Sequence, residues 1–163
     1  LYLLSDMFYF IVYYLVRYRR RVVRDNLVKS FPEKGVKEIV EIEKKFYSSL
    51  CDWFVETIKY YGMSEKEIRR RMVITGLEDA HRMVAQGRSC VCYMGHLFNW
   101  EYVTSLALYF DDEDLVIGDI YHPLENSYVD RFMKKMRDQY GAESITMANT
   151  LRRIVQITKE KKK

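Results

Sequence analysis

The stretch SCVCYMGHLFNWE, residues 89–101, contains the change of hydrophobic pattern that decides the fold we expect. Its first part, SCVCYM, is a short apolar run with β-branched and aromatic members, bounded by Gly87 and Gly95. Such a run is long enough only for a strand. A predicted helix then runs from about Asn99 to Phe110. We therefore expect a strand, a turn and a helix in this order.

The same alternation continues further along the sequence. LVIGDIY, residues 115–121, and ESITMA, residues 143–148, are two more apolar runs of strand length. A helical stretch lies between them at residues 126–140, and another runs from about residue 149 to the end. Strands that alternate with helices are typical of a mostly parallel sheet covered by helices. Residues 88–163 therefore predict an α/β core.

Residues 25–87 are predicted to form a helical N-terminal part. Between about Val36 and Tyr61 the apolar positions recur at spacings of three and four, which is the period of a helix. SEKEIRRRM begins with Ser64 as a helix N-cap and has Glu67 three residues later, so we expect a short capped helix. LEDAHRMVAQG is one more helical stretch and ends in a glycine.

The first 24 residues combine an apolar run with a cluster of positive charge. LYLLSDMFYFIVYYLV, residues 1–16, is shorter than the roughly 20 residues that span a bilayer. The chain does not begin with Met, so we expect a fragment whose upstream residues complete the span. RYRRRVVR, residues 17–24, follows as cytoplasmic positive charge follows a membrane helix. Residues 1–24 therefore predict the end of a membrane anchor with a basic flank, and a buried helix is the alternative.

Composition limits the class of protein and of site. The chain has 163 residues, 48% of them apolar, which is enough for a domain with a core. Cys51, Cys90 and Cys92 cannot all pair with one another, which indicates a reducing compartment, and with the histidines they show no zinc-ligand spacing. The net charge is only +4, but arginines concentrate at residues 17–24 beside the apolar run. This favours an anionic membrane surface over nucleic acid.

His96 and Glu101 are the residues of the opening stretch that could do chemistry. On one straight helix five residues are about 500° of rotation, which leaves the two side chains roughly 140° apart. If the chain instead leaves a strand at Met94, turns at Gly95 and begins a helix near Asn99, His96 can fold back toward Glu101. The carboxylate would then hold one imidazole nitrogen while the other accepts a proton from a hydroxyl. The pattern predicts a general base, and a hydrogen-bonded histidine at a sheet edge is the alternative.

Side chains after the second predicted strand should meet this base, because the carboxyl ends of parallel strands share one edge of a sheet. Tyr121, His122 and Asn126 lie there. Arg131 and Arg137 follow on the next predicted helix, and because six residues are about 600° of rotation we expect only one of them to face the site. That arginine could bind a phosphate or stabilise a developing oxyanion. The alternative for both arginines is an exposed position on an amphipathic helix.

Three ordered blocks of the sequence resemble one family. RYRRRVVRDNLVKSFPEKGVKEIVEIEKKFY, then GHLFNWE, then IYHPLENSYVDRFMKKMRDQYG with TMANTLRRIV, are similar in order and spacing to the lipid A biosynthesis acyltransferases, the lauroyl or myristoyl transferases. The resemblance covers nearly the whole chain. It implies a glycerol-phosphate acyltransferase-like fold. It also implies an enzyme that moves a fatty acyl chain from acyl carrier protein to a hydroxyl of a lipid A precursor in lipopolysaccharide biosynthesis.

The resemblance also implies roles for particular residues. His96 matches the base of an HxxxxD/E motif and Glu101 its carboxylate partner, while Asn99 and Trp100 fill the NW usually seen inside that motif. Arg137 matches a functionally important arginine of the family. With the edge positions above, the predicted substrate-binding residues are Asn99, Asn126, Arg131 and Arg137.

The sequence departs from the family pattern in two places. His122 stands where relatives more often have the arginine of YRP, so we do not expect a phosphate-binding role there. The family continues beyond the lysine run in which this sequence ends, so we expect an enzyme that is incomplete at the C-terminus.

The expected partners and location follow from the same resemblance. The donor would be acyl carrier protein and the acceptor a lipid A precursor or another anionic glycolipid, at the cytoplasmic face of the bacterial inner membrane. No metal or organic cofactor is expected, since the thioester supplies the driving force and no Gly-rich phosphate loop is present. Two alternatives stay open: an acyltransferase acting on another (glyco)phospholipid acceptor, and a non-catalytic membrane-surface binding protein.

Overall fold

The computed structural model of the chain describes residues 1–160 and 162. The chain divides into two compact units, Leu1–Lys59 and Tyr60–Lys163. We describe each unit separately. The division by function predicted from the sequence, into residues 1–24, 25–87 and 88–163, stays a prediction.

The first unit is helical. Helix α1 spans Tyr2–Tyr9 and continues directly into a π-helix, Phe10–Val16. Helix α2 spans Arg20–Ser30, and helix α3 spans Val36–Tyr60, as the apolar spacing predicted. Aromatic contacts join the first helical segment to α3: the Phe8 and Phe54 rings lie 5.8 Å apart, and the Tyr13 and Tyr47 rings 5.3 Å apart.

The predicted N-terminal membrane helix is not shown by the structure. Among residues 1–160 and 162, no helix is both long enough and apolar enough to cross a bilayer. Many apolar side chains of α1 and the π-helix nevertheless face outward, including Leu3, Phe10, Leu15 and Val16.

Two short helices begin the second unit, both as predicted. Helix α4 spans Glu65–Arg71, and the Ser64 hydroxyl accepts a hydrogen bond from the backbone N–H of Glu67 at 3.3 Å, which is the expected cap. Helix α5 spans Glu78–Ala85. Gly87 follows α5 with a φ of +69°, a left-handed conformation that glycine adopts without strain.

The second unit continues through a 3₁₀ helix, Trp100–Tyr109, to a small parallel sheet and two helices. Strand β1 spans Gly118–Tyr121 and pairs with strand β2, Glu143–Thr146, with Asp119 opposite Ser144. Helix α6, Ser127–Asp138, connects the strands, and a short 3₁₀ turn leads from β2 into helix α7, Thr150–Lys159.

Two details of this region bear on the predictions. A Cβ at Gly118 would lie 2.9 Å from the Ile145 Cδ1 atom, so the end of that side chain would have to shift if another residue replaced this glycine. The predicted continuation of the last helix to residue 163 falls partly on residues 161 and 163, which lie outside the described residues.

The strand predicted at SCVCYM is wrong. Residues 88–94 have no regular secondary structure, and the Tyr93 side chain is 94% exposed. In the part of the chain that the structure describes, only β1 and β2 pair as strands. A strand forms only where a partner offers its backbone groups, and an apolar run does not specify that partner. The mostly parallel sheet is therefore confirmed only in part, as two strands in a largely helical α/β unit.

The core of the second unit holds α6 in place. Tyr60, Met63, Ile68, Met136 and Tyr140 form one buried cluster, and the Tyr140 hydroxyl donates a hydrogen bond to the Met63 carbonyl at 2.9 Å. Because Met136 of α6 lies in this cluster, the orientation of α6 is fixed, and with it the position of the next residue, Arg137.

Candidate active site

Glu101 lies in the first turn of a 3₁₀ helix, Trp100–Tyr109, where the sequence predicted an ordinary helix from about Asn99 to Phe110. The Thr104 hydroxyl donates to the Glu101 carbonyl at 3.0 Å, and the Ser105 hydroxyl donates to the Tyr102 carbonyl at 2.7 Å. These bonds reach back three residues, as the backbone bonds of a 3₁₀ helix do. Side chains three apart eclipse in this geometry, so Glu101 and Thr104 share one buried face.

Tyr60 fixes that buried face to the core. Its hydroxyl lies 2.9 Å from the Thr104 hydroxyl, and its ring stacks on Tyr102 with centroids 4.8 Å apart. Burial raises the pKa of Tyr60 well above its ordinary value, so the phenol stays neutral and available for hydrogen bonding. The helix that carries Glu101 is therefore held by polar and aromatic contacts together.

Glu101 and Arg137 form a two-pronged ion pair. Arg137 Nε donates to Glu101 Oε2 at 2.8 Å, and Nη2 donates to Oε1 at 2.8 Å. The side chains are 3% and 17% exposed, so water contributes little to either charge. The hydrogen bonds to Glu101 raise the pKa of Arg137, although burial opposes this. Such a fork-to-carboxylate contact fixes both the distance and the plane of the two groups.

Asp119 brings a second carboxylate to the same guanidinium. Its Oδ2 atom lies 3.7 Å from Arg137 Nε, and the guanidinium lies 5.7 Å from the centre of the Tyr121 ring. Burial raises the pKa of the Asp119 carboxyl, and Arg137 opposes the increase while Glu101 adds to it. Asp119 was not among the residues predicted for the site. An aspartate inside the apolar run LVIGDIY was the available signal.

His96 lies on the loop that leads into the 3₁₀ helix. Phe98 has a left-handed φ of +53°, and the Leu97 N–H donates to the Gly95 carbonyl at 2.8 Å, so the chain turns tightly here. The exposed His96 ring meets the edge of the Trp100 ring, with centroids 4.9 Å apart. The loop therefore folds the imidazole back on Trp100.

The predicted hydrogen bond between His96 and Glu101 is not formed among the described residues. Both carboxylate oxygens of Glu101 accept from Arg137 instead. A guanidinium offers two parallel charged donors, whereas an imidazole offers one donor to a given carboxylate, so the arginine is the stronger partner in a buried place. We expected an arginine of α6 at this site as a ligand for phosphate or an oxyanion, and its competition with His96 for Glu101, 36 residues away in the sequence, was not predicted.

A sequence model of the bacterial lipid A biosynthesis acyltransferases matches residues 3–162, nearly the whole chain. The chain belongs to this acyltransferase family. The resemblance inferred from the three sequence blocks is thereby confirmed. Comparison with curated protein sequences gives no match.

Two of the other predicted substrate-binding residues of the acyltransferase, Asn126 and Arg131, make local contacts within α6. Asn126 is the N-cap of α6, where its side-chain oxygen accepts from the N–H groups of Tyr128 and Val129 at 3.0 and 3.2 Å. Arg131 is exposed, and its guanidinium lies over the Tyr128 ring. Their roles in binding stay predictions, and Asn126 has a structural reason to be asparagine.

Asn99 is buried immediately before the 3₁₀ helix, two residues before Glu101 in the sequence. Arg137, not Arg131, is the arginine of α6 that contacts Glu101. The candidate site thus combines an exposed histidine on a tight loop with one guanidinium between a buried carboxylate and a partly exposed one.

Proposed function

We propose that this acyltransferase moves a fatty acyl chain from acyl carrier protein to a hydroxyl of a lipid A precursor, with His96 as general base. Family membership supports acyl transfer as the class of reaction. The observation that carries the catalytic assignment is the position of His96. It is an exposed imidazole on the tight loop that enters the helix anchored by the Glu101–Arg137 pair.

The reaction needs one proton acceptor and no covalent acyl-enzyme. Neutral His96 takes the proton of the acceptor hydroxyl as its oxygen attacks the thioester carbonyl. The tetrahedral intermediate then collapses, the carbon–sulfur bond breaks, and the leaving thiolate takes a proton back from the imidazolium. The products are an ester and the free thiol of the carrier, and His96 returns to its neutral form.

The buried charges have the sign that this step requires. With both carboxylates ionised, Glu101 and Asp119 around Arg137 carry a net charge of −1. A negative cluster favours the imidazolium that forms during the reaction.

Catalytic hydrogen bonds often tighten only when substrate binds. In our proposal His96 leaves Trp100 for Glu101 at that stage, and Glu101 is a positioning residue.

We also propose that the protein works at the cytoplasmic face of the bacterial inner membrane. The exposed apolar side chains of α1 and the π-helix and the arginines at residues 17–24 support this placement. Apolar side chains next to basic ones suit the interface of an anionic bilayer.

The test is acyl transfer from an acyl carrier protein thioester to a lipid A precursor by the wild type and by His96→Ala. We expect a loss of roughly 10²- to 10⁴-fold in kcat, because the general base is gone. His81→Ala is the matched control, since His81 is also an exposed histidine and its ring contacts Phe110, away from the ion pair. Transfer retained by His96→Ala would remove the catalytic assignment.

Two further arms separate the alternatives. Glu101→Gln should lower kcat more than it changes KM, and Glu101→Asp should recover part of the loss because it keeps the charge. Transfer to another glycophospholipid but not to the lipid A precursor would replace the acceptor in our proposal. Vesicle binding without transfer to any acceptor would support the non-catalytic membrane-surface protein instead.

A further inference from the structure

The first unit contains an open cavity of about 280 Å³ where α2 begins. A water molecule in the liquid occupies about 30 Å³, so the cavity has room for a small anion together with water. Four arginines and one glutamate line it: Arg17, Arg20, Arg21, Arg24 and Glu43.

Glu43 organises two of these arginines. It is fully buried, and it accepts hydrogen bonds from Arg20 Nε at 3.1 Å and from Arg24 Nε. Arg20 also donates to the Tyr13 hydroxyl at 3.3 Å, and its guanidinium lies 4.2 Å from the centre of the Tyr13 ring. Arg20 and Arg24 are therefore held in fixed places at the cavity wall. Because they are already ordered, they lose little side-chain entropy when a ligand binds.

Arg17 and Arg21 provide charge that the protein itself does not neutralise. Both are exposed, and among the described residues neither has a carboxylate within ion-pair distance. Four guanidinium groups and one carboxylate leave a net charge of +3 in the lining. Positive charges that line one cavity repel each other, and an anion between them reduces this repulsion.

The backbone at the cavity is held in an unfavourable conformation. Arg17 and Arg19 have left-handed φ values of +54° and +50°, which side chains other than glycine and asparagine adopt at a cost. The first turn of α2 contains no acidic residue and has no side-chain cap. Arg20 and Arg21 instead place positive charge at the positive end of the helix dipole. An anion at the N-terminus of α2 would offset the repulsion among the arginines and the repulsion between the arginines and the helix dipole.

We propose that this cavity binds a phosphate group, with Arg17 and Arg21 closing on it from the rim and Arg20 and Arg24 behind. Arginine forks match the oxygen spacing of phosphate, and the N-terminus of α2 favours the same negative charge. A phosphate dianion reduces the net charge of the lining from +3 to +1. All the residues involved belong to the first unit, so the inference does not depend on the proposed acyl transfer. It extends the proposed contact of these arginines with an anionic membrane surface.

The experiment uses the full chain and two probes that share this chemistry. One probe is inorganic phosphate at constant ionic strength, measured by calorimetry, and the other is phosphatidylcholine vesicles with and without phosphatidic acid, measured by flotation. The test variant is Arg17→Gln with Arg21→Gln. The control is Lys29→Gln with Lys37→Gln, which removes the same charge from exposed positions of the same unit, outside the cavity.

We expect the arginine variant to bind phosphate about tenfold more weakly or worse, because it loses two guanidinium forks that would hold the phosphate oxygens. The lysine control should bind as the wild type does. Weakening with both probes identifies a site for the phosphate group as such. Weakening only with phosphatidic acid vesicles identifies a lipid headgroup as its source.

Three results would overturn the proposal. They are an absence of wild-type binding to both probes, unchanged binding by the arginine variant, and equal weakening by both double variants, which would mean diffuse charge. If the glutamine variant fails to fold by circular dichroism, Arg17→Lys with Arg21→Lys decides. It keeps the charge but not the fork, so it should still bind several-fold more weakly, and wild-type affinity would refute the site.

Discussion

Each unit of the protein buries one glutamate against arginine, with opposite results. In the second unit Glu101 has one guanidinium, which binds both of its oxygens and has Asp119 as a further neighbour. In the first unit Glu43 has two guanidinium groups, and two more arginines line the same cavity. The first arrangement has an excess of negative charge and the second an excess of positive charge.

The excess charge indicates what each site can still attract. Two carboxylates around Arg137 favour a cation, such as a protonated imidazole. Four arginines around Glu43 favour an anion. A buried ion pair by itself is weak evidence of function. It is also weak evidence of stability, since such pairs often contribute little net free energy. The groups beyond the pair, Asp119 in one case and Arg17 with Arg21 in the other, distinguish the two sites.

The largest effect on stability should come from breaking the closed pair from the arginine side. Arg137→Leu leaves Glu101 buried and unpaired, and we expect the free energy of unfolding to fall by about 3 kcal/mol or more. Glu101→Gln should cost about 1–2 kcal/mol, because Arg137 keeps Asp119 as a partner. Urea unfolding measures both. Adding Glu101→Gln to Arg137→Leu should restore stability, and a further loss would contradict this account.

A smaller effect is expected at the open cluster. Glu43→Gln leaves arginines that are partly exposed and can reach water, so we expect a loss of about 1–2 kcal/mol at neutral pH. Burial alone would raise the pKa of Glu43, but hydrogen bonds from Arg24, Tyr13 and Arg20 hold it below its ordinary value of 4.5.

The pH dependence of this loss follows from the direction of the shift. Because the folded-state pKa lies below the unfolded one, the stability from ionised Glu43 is complete above the unfolded pKa and disappears as pH falls through the folded one. The difference between the wild type and Glu43→Gln should therefore shrink in acid. Thermal unfolding at a series of pH values measures it, and a constant difference would count against the ion pairs.

The smallest effect is expected for Asp119→Asn, below about 1 kcal/mol, because the side chain is partly exposed. Here the sign is reversed. Burial raises the folded-state pKa of Asp119, so its contribution is complete below the unfolded pKa and declines as pH rises through the folded value. The variant should gain stability relative to the wild type on going from acid to neutral pH. The opposite trend would show that Arg137 outweighs burial at this carboxylate.

The helices were predictable because their signals are local. Apolar spacing predicted α3 almost to the residue, Ser64 marked the start of α4, and Gly87 marked the end of a helix. Each of these signals acts within a few residues of the element that it defines, through hydrogen bonds and backbone conformation that tertiary contacts only reinforce.

The sheet was predicted only in part because pairing is not local. The sequence contains three apolar runs of strand length, and two of them pair in the structure. In the register that they form, Gly118 lies opposite Glu143 and Ile120 lies opposite Ile145, and helix α6 connects them. The run SCVCYM is also apolar and of strand length, but it has no paired neighbour among the described residues. Composition does not specify a pairing partner.

Order and spacing along the chain were enough to predict the family, the helical N-terminal part, and His96, Glu101 and Arg137 as the residues of interest. Folding was needed to bring Arg137 to Glu101, Asp119 to Arg137, and four arginines to one cavity. Ion pairs form between groups that folding brings within a few ångströms. Distance along the chain does not report that separation.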